Sequence, residues 1–450
     1  MLKILFLVWI LSSFLYSKEL FLEHTILKYF DKNNPYYSSA IAKEMIRKSE
    51  ELFYEGAFDT QLNLKYDKKK YPVTEGTYQE ANIIKPLAGG VDLHLSYRNA
   101  QGTQEYNNIK TGRDGEVLAG IRIPIISAIT QLSKRDVNKQ SSQLRTKIQH
   151  QESRNNLLGL YYNISALYYR LLLQKELVTT EEELLHKANK NKLFIEKEIK
   201  LGKLPQIAHL DIQNQILVRE QRLLLAKNLL LNTKNLFVRY LGISVKDFNK
   251  KYSLPRLKRK DTTLASVDRA LSIAISNKPE LSKIDLEGEK ISLDSDYNEL
   301  EAYPKINVGL YGAYDPLFNE GYKVAVNFSF PLERNAYKGR KEALQKEKLL
   351  LNDNKRKIIF DMRANITNIL QKIEAKQQSI ILARKEIKIA KRLNEVEIKK
   401  YKEGLSNLMF LNQREITVLH AQQKLMNAYY ELHLLYLDYN YALGIDKINI

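Results

Sequence analysis

The sequence contains no cysteine. This excludes disulfides, thiolate metal sites and cysteine nucleophiles, and it excludes a lipid anchor attached through a cysteine. Glycine and proline are sparse, at 18 and 10 in 450 residues, which favours long uninterrupted elements. After the N-terminus no segment reaches 18 consecutive apolar residues, so further bilayer contact would have to be made by strands. Enzyme signatures are missing as well. The seven histidines, His24, His94, His150, His186, His209, His420 and His433, form no His-Glu-x-x-His pair and no ligand-like spacing. There is no phosphate-binding Gly-Lys-Ser/Thr loop, nucleophile elbow or dinucleotide fingerprint. Acidic residues are scattered at helix-surface spacing, as in solvated salt-bridge faces. The expectation is a non-enzyme without cofactor or metal.

What is present describes a folded protein. Hydrophobic residues make up 44% and charged residues 27%, too polar for a bundle of membrane helices. The length suits one large domain or a few smaller ones. Lys and Arg number 71 against 52 Asp and Glu, a net charge of +19. The lysines interleave with glutamates along helical stretches, and the runs Lys68-Lys69-Lys70 and Arg256 to Lys260 are brief. This reads as solvated helix faces, with no nucleic-acid partner.

The N-terminus carries Lys3, an apolar run from Ile4 to Tyr16 interrupted by Ser12 and Ser13, and then Ser17, Lys18 and Glu19. A positive start, a short apolar stretch and a small residue before charge predict a signal peptide over residues 1–17, cleaved after Ser17. An uncleaved anchor is the alternative.

Two long helical stretches follow, each with a glycine break. Residues 126–200 contain no proline and a single glycine, Gly159, and predict a helix on the order of 110 Å long. Gly202 and Pro205 interrupt it, and a second run continues to Tyr240. In the second half a helix is expected from Lys341 to Glu403, a break at Gly404, and a return to Leu443. Ile359, Ile366, Ile373, Ile380 and Ile387 lie seven apart, with Met362, Ile369, Ala383 and Ala390 at the alternating position and Lys376 the exception. This heptad predicts helices packed side by side. The breaks Gly202 and Gly404 are 202 residues apart, and so are Leu241-Gly242-Ile243 and Leu443-Gly444-Ile445. Two matches at one offset point to internal duplication.

Alternating stretches precede each long helix. Val91, Leu93, Leu95 and Tyr97 alternate with polar residues, and Val117, Ala119, Ile121 and Ile123 alternate with Leu118, Gly120 and Arg122 before Pro124. Ile306, Val308 and Leu310, then Tyr322, Val324, Val326, Phe328 and Phe330 before Pro331, repeat the pattern. Period two with one apolar face predicts half-buried strands. Tyr and Phe near the strand ends suit a membrane interface. A small soluble sheet is the competing reading. Phe58 to Tyr66 and Thr77 to Ile84 are two further strand candidates, and an even number of crossings is met by two strands or four in this half.

The chain is thus expected to run as signal peptide (1–17), N-terminal segment (18–56, helical from Ser38 to Phe53), first strand region (57–124), first long helix pair (125–241), irregular segment (242–262), helices leading to a hairpin (263–303), second hairpin (304–331), second long helix pair (332–443) and tail (444–450).

This layout resembles the TolC-like outer-membrane efflux proteins. The similar stretches are Glu55-Gly56-Ala57-Phe58-Asp59, Ile121 to Ile125, Phe328 to Leu332, Asn277-Lys278-Pro279-Glu280-Leu281, Tyr303 to Ile306, Leu201-Gly202 to Gln213 and Tyr401 to Gln413. The resemblance covers nearly all of the chain after residue 17. The resemblance implies an α+β fold that is predominantly α, with a coiled-coil α-helical barrel and a transmembrane β-barrel shared among three protomers. It implies a homotrimer in the outer membrane, with a large periplasmic portion, that works with a periplasmic adaptor and an inner-membrane transporter. The family usually supplies four strands per protomer, from which the extra pair departs: six strands, or a pair outside the membrane. The implied tip residues are Gly202, Pro205 and Asp211 in the first repeat, and Gly404, Asn407, Phe410, Asn412 and Gln413 in the second. Where the family usually has an aspartate, the second repeat has Gln413 after Asn412. A neutral ring there would attract cations less, if these side chains line the pore rather than fill a helix seam. A structural coiled-coil envelope protein without a pore is the alternative function.

Overall fold

The alternating stretches form a single antiparallel sheet. The computed structural model describes residues 18–102, 110–260 and 262–445, so the expected signal peptide and all but the start of the tail lie outside the described residues. The sheet strands are β1 (Gln61–Lys70), β2 (Glu75–Pro86), β3 (Asp92–Gly102), β4 (Glu116–Pro124), β5 (Lys305–Asp315) and β6 (Asn319–Ser329), side by side in chain order. Both members of the extra pair, β1 and β2, belong to this sheet. Their lengths, 10 and 12 residues, match the 9 to 11 of the others. The register carries Leu64 to Ala81, Ala81 to Tyr97, Tyr97 to Val117 and Val117 to Tyr314, with Leu310 opposite Val324. Because side chains alternate, this register collects the apolar sets of all six strands on one face.

The helices of more than ten residues are α1 (Pro35–Glu55), α2 (Lys134–Lys200), α3 (Ile207–Leu241), α4 (Val267–Asn277), α5 (Pro279–Leu300), α6 (Asn335–Lys402) and α7 (Leu408–Ala442). The two longest, α2 and α6, have 67 and 68 residues, and α3 and α7 have 35 each. One expected continuous helix is broken. A short helix, Ile125–Thr130, ends at Gln131, which takes a left-handed φ of 53°, and α2 starts afresh at Lys134. Neither glycine nor proline marks this break. Its cause is a cap: the Asp136 carboxylate accepts hydrogen bonds from the Ser133 backbone N–H at 2.9 Å and from the Gly89 N–H at 3.0 Å. Pro279 opens α5, where a missing N–H costs nothing.

The chain divides into two units. One comprises residues 42–153 and 279–358 and holds the sheet; the other comprises residues up to 41, 154–278 and from 359 onward. The second unit has its own core. Ile366, Ile373 and Ile380 of the heptad are fully buried, and Ile369 and Ala383 nearly so, in one cluster with Leu425, Ala428, Tyr429, Leu432 and Tyr436 of α7. Lys376, the exception in the heptad, pairs with Glu431 on α7. The N-terminal segment is sewn into this core. Glu19–Leu20 pair in parallel with Tyr252–Ser253, and the Phe21 ring meets those of Tyr168, Phe237, Phe248 and Tyr252 at 4.9 to 5.9 Å. Tyr161 and Tyr169 both donate to the Glu23 carboxylate, at 2.9 and 2.7 Å, and burial pushes both phenols well above their ordinary pKa.

Candidate functional site

Two regions gather the features singled out in the sequence, and the sheet is the first. Its apolar face holds Leu62, Leu64, Tyr66, Ile83, Leu93, Leu95, Tyr97, Val117, Leu310, Tyr314, Tyr322, Val324, Val326 and Phe328, and all of these are exposed. Val326 and Phe328 are 68% and 65% exposed, and Leu64 is 75% exposed. Of its four tyrosines, Tyr314 and Tyr322 lie toward the hairpin end of their strands, and Tyr66 and Tyr97 lie near the middle of theirs. On β2 to β5 the opposite face is the more buried one, and it is largely polar. There Lys65 lies 5.4 Å from the Tyr78 ring, Tyr78 donates to Glu80 at 2.9 Å, Glu80 stands opposite Arg98, and Arg98 pairs with Glu116 at 2.6 Å. This polar chain crosses four strands. Further along the same face Tyr311 lies over Gly120, where a Cβ would fall 2.4 Å from the ring, so only glycine fits. A soluble sheet buries its apolar face and wets its polar one; this sheet does the reverse.

The second region comprises the turns between the long helices. Gly202 and Gly404 have φ of 70° and 74°, and a Cβ at either would meet nothing within 4 Å. Glycine is favoured there by backbone conformation rather than by crowding. Each closes the same two-bond cap. Gly202 donates to Ile199 at 2.9 Å and Lys203 to Glu198 at 2.9 Å; Gly404 donates to Tyr401 at 3.2 Å and Leu405 to Lys400 at 2.9 Å. Phe194 and Tyr401, just before the two turns, bring their rings to 5.9 Å, so the turns are neighbours.

The expected tip residues fall into different settings. Asn407 is the N-cap of α7, its side chain accepting from the Phe410 N–H at 3.1 Å. Phe410 is exposed beside Met409 and Leu405, and on the first turn Leu201, Ile207 and Leu210 are exposed near Pro205. Asp211 and Gln413 are both exposed. Asn412 is not free: its side-chain oxygen accepts from Arg219 at 2.8 Å.

Arg219 was not legible in the sequence. It is buried on α3, donates to the Leu184 carbonyl of α2 at 2.8 Å, and pairs with the buried Glu415 of α7 at 2.9 Å. One guanidinium thus ties three helices together, using the fork geometry that suits arginine. In the sequence it is one basic residue in a charged helix, with no signal to distinguish it from its solvated neighbours.

Two apolar stripes on these helices have no cover among the described residues. Leu210, Leu217, Leu224 and Leu231 of α3 lie seven apart and are 51–69% exposed. Leu382, Ile389 and Val396 of α6, also seven apart, are exposed. Among the described residues no helix is long and apolar enough to cross a membrane, and no cluster of three or more His, Asp or Glu could hold a metal ion.

No family model matches the sequence, and a comparison with curated protein sequences finds no match. Solved structures do match. The outer membrane protein VceC of Vibrio cholerae aligns over 94% of this chain and 96% of that one, with a TM-score of 0.67 and 13% identity. The Campylobacter jejuni CmeC outer membrane channel aligns over 94% and 85%, at 0.66 and 12%. The open state of the Neisseria gonorrhoeae MtrE outer membrane channel aligns over 94% and 88%, at 0.68 and 9%. With its sheet inverted and its long helices paired, the chain has the fold of the TolC-like outer-membrane channels.

Proposed function

We propose that this protein is an outer-membrane exit duct for efflux or secretion, acting as a homotrimer whose sheets close one transmembrane β-barrel. The observation that carries this reading is the exposed apolar face that runs unbroken across six strands of spanning length. Water does not stabilise such a face, and lipid does. Transmembrane strands need about 9 to 11 residues, which these have. The half-buried polar face then lines the lumen.

The heptad stripes on α3 and α6 support the trimer. Each is a coiled-coil seam lacking its partner helix, and neighbouring protomers would supply it. The helices would then enclose a periplasmic tunnel. The equal lengths of the paired helices and the caps at Gly202 and Gly404, 202 residues apart, support an internal duplication behind this arrangement. The exposed Leu405, Met409 and Phe410 and the exposed Leu201, Ile207 and Leu210 offer apolar anchors for a periplasmic adaptor, itself joined to an inner-membrane transporter. Within this reading residues 57–124 and 304–331 form the barrel, and 125–241 and 332–443 the tunnel wall. The work is done by a hollow shape and an openable tip, with no bond chemistry.

The test is cell fractionation followed by sizing of the detergent-extracted protein and electrophoresis with and without heating. A trimer from outer-membrane fractions, migrating as a compact species until heated, is the expected result. A water-soluble monomer or dimer would replace the channel with a coiled-coil envelope protein.

A further inference from the structure

We infer that the barrel is built from six strands per protomer and therefore has eighteen strands, half as many again as the twelve that four strands per protomer would give. The inference rests on the trimeric channel reading and adds to it which edges meet. In the sheet, β1 and β6 are the outermost strands, and each has one edge with no partner among the described residues. Unpaired edges inside a bilayer are not tolerated, so each must meet a strand of another protomer. Repeated head to tail three times, the β1 edge of one copy pairs with the β6 edge of the next and the ring closes.

Three observations place β1 and β2 inside the wall rather than outside the membrane. First, ten consecutive residue pairs join β1 to β2, from Gln61 opposite Ile84 to Lys70 opposite Glu75, and eleven join β2 to β3. The β3 edge is therefore already occupied and cannot serve as the junction with a neighbouring copy. Second, the apolar face continues: the exposed Leu62 and Leu64 of β1 stand opposite Ile83 and Ala81 of β2. Third, the polar face continues too: Lys65 of β1 and Tyr78 and Glu80 of β2 extend the chain of charged and aromatic groups that Arg98 and Glu116 carry on β3 and β4. A pair of strands lying in water would need neither the same apolar face nor the same polar one.

The consequence is a wide mouth. At fixed strand spacing and tilt, barrel diameter grows in proportion to strand number, so this one is about 1.5 times as wide as a twelve-stranded barrel. Barrels of about 16 to 18 strands leave an open aqueous channel. The barrel then offers no selection by size, and any selection falls to the helical tip.

The absence of cysteine makes the junction directly testable. Cysteines are placed on the polar face of β1 (Asn63→Cys, Lys65→Cys) and, in the same chain, of β6 (Lys323→Cys, Ala325→Cys, Asn327→Cys), in all combinations. A second set places the partner cysteine on β3 (His94→Cys, Ser96→Cys) instead of β1. Outer membranes are oxidised and run on denaturing gels without reductant. Adjacent strands bring Cβ atoms to about 4.5–5.5 Å, close enough for a disulfide in the right register. The expected result is a covalent trimer from at least one β1–β6 combination and none from β3–β6, with single-cysteine chains staying monomeric. Trimers from β3–β6 alone would overturn the eighteen-strand wall while leaving the channel intact. If neither set cross-links although the protein fractionates with outer membranes and folds as a heat-modifiable trimer, the eighteen-strand closure is wrong. If it does not form that trimer, the channel reading fails as well.

Discussion

The sheet and the helical unit solve opposite solvation problems with the same residues. In the helical unit isoleucine, leucine, phenylalanine and tyrosine point inward, and Phe21, Phe237 and Ile373 are fully buried. In the sheet the same residue types point outward, and the polar groups are the ones shielded. Hydrophobic burial drives the first arrangement. It cannot drive the second unless something apolar lies outside. The difference teaches that the two parts of one chain face different solvents, and that exposure carries as much information as composition.

A similar contrast separates the two return helices. α3 and α7 have equal lengths and equivalent preceding caps, yet six residues of α3 are buried against fourteen of α7. α7 finds its partners within the chain. α3 keeps its leucine stripe uncovered, which is expected of a helix whose other neighbour belongs to another copy.

Substitutions can break this contrast from either side. The largest effect is expected where a charge is buried among helices. Arg219→Ala leaves Glu415 without its partner and should cost about 3–5 kcal/mol, read as a lower unfolding temperature of the purified protein. Arg219→Met with Glu415→Leu should recover most of that loss, because no unpaired charge remains. Full stability of the single variant would show that the cluster holds nothing together. In the sheet the sign of the rule reverses. Val326→Arg, on the apolar face, should destabilise by about 2–4 kcal/mol at mid-membrane depth, whereas Asn327→Arg, on the polar face, should be nearly neutral. Equal effects at the two neighbouring positions would remove the distinction between faces. At the turns, Gly404→Ala forces a side chain into a left-handed conformation and should cost about 1 to 2 kcal/mol, with a similar value for Gly202→Ala. A strong effect at one and none at the other would separate the two caps that geometry makes alike. The smallest effect is on selectivity rather than stability. Gln413→Asp should raise cation preference in single-channel recordings, and unchanged reversal potentials would show that Gln413 does not face the pore.

Much of this architecture could be read from the chain, for reasons that can be traced to residues. Period two in Tyr322 to Phe330 and the seven-residue spacing of Ile366, Ile373 and Ile380 reflect backbone geometry directly. Both were visible because neither needs a distant partner to be recognised. Gly202 and Gly404 were visible because a left-handed cap favours glycine. The break at Gln131 was not, since its cause is the carboxylate of Asp136, five residues on, which caps both Ser133 and the distant Gly89. The sheet membership of Gln61–Lys70 also stayed open, because Lys65, Asp67 and Lys69 look like a solvated strand until β2 supplies Tyr78 and Glu80 beside them. Arg219 is the clearest limit. Its partners Leu184, Asn412 and Glu415 lie 35 to 196 residues away, and only the packing of α2, α3 and α7 brings them within reach.

The most direct test of which solvent each face meets is a spin-label scan along β6. Single cysteines replace Tyr322 through Phe328 in turn, and the labelled protein is reconstituted in lipid vesicles. Collision with dissolved oxygen, which concentrates in lipid, is compared with collision with a water-soluble nickel chelate. Oxygen accessibility should peak at positions 322, 324, 326 and 328 and nickel accessibility at 323, 325 and 327. High nickel accessibility at all seven positions would place the apolar face in water and contradict the membrane barrel.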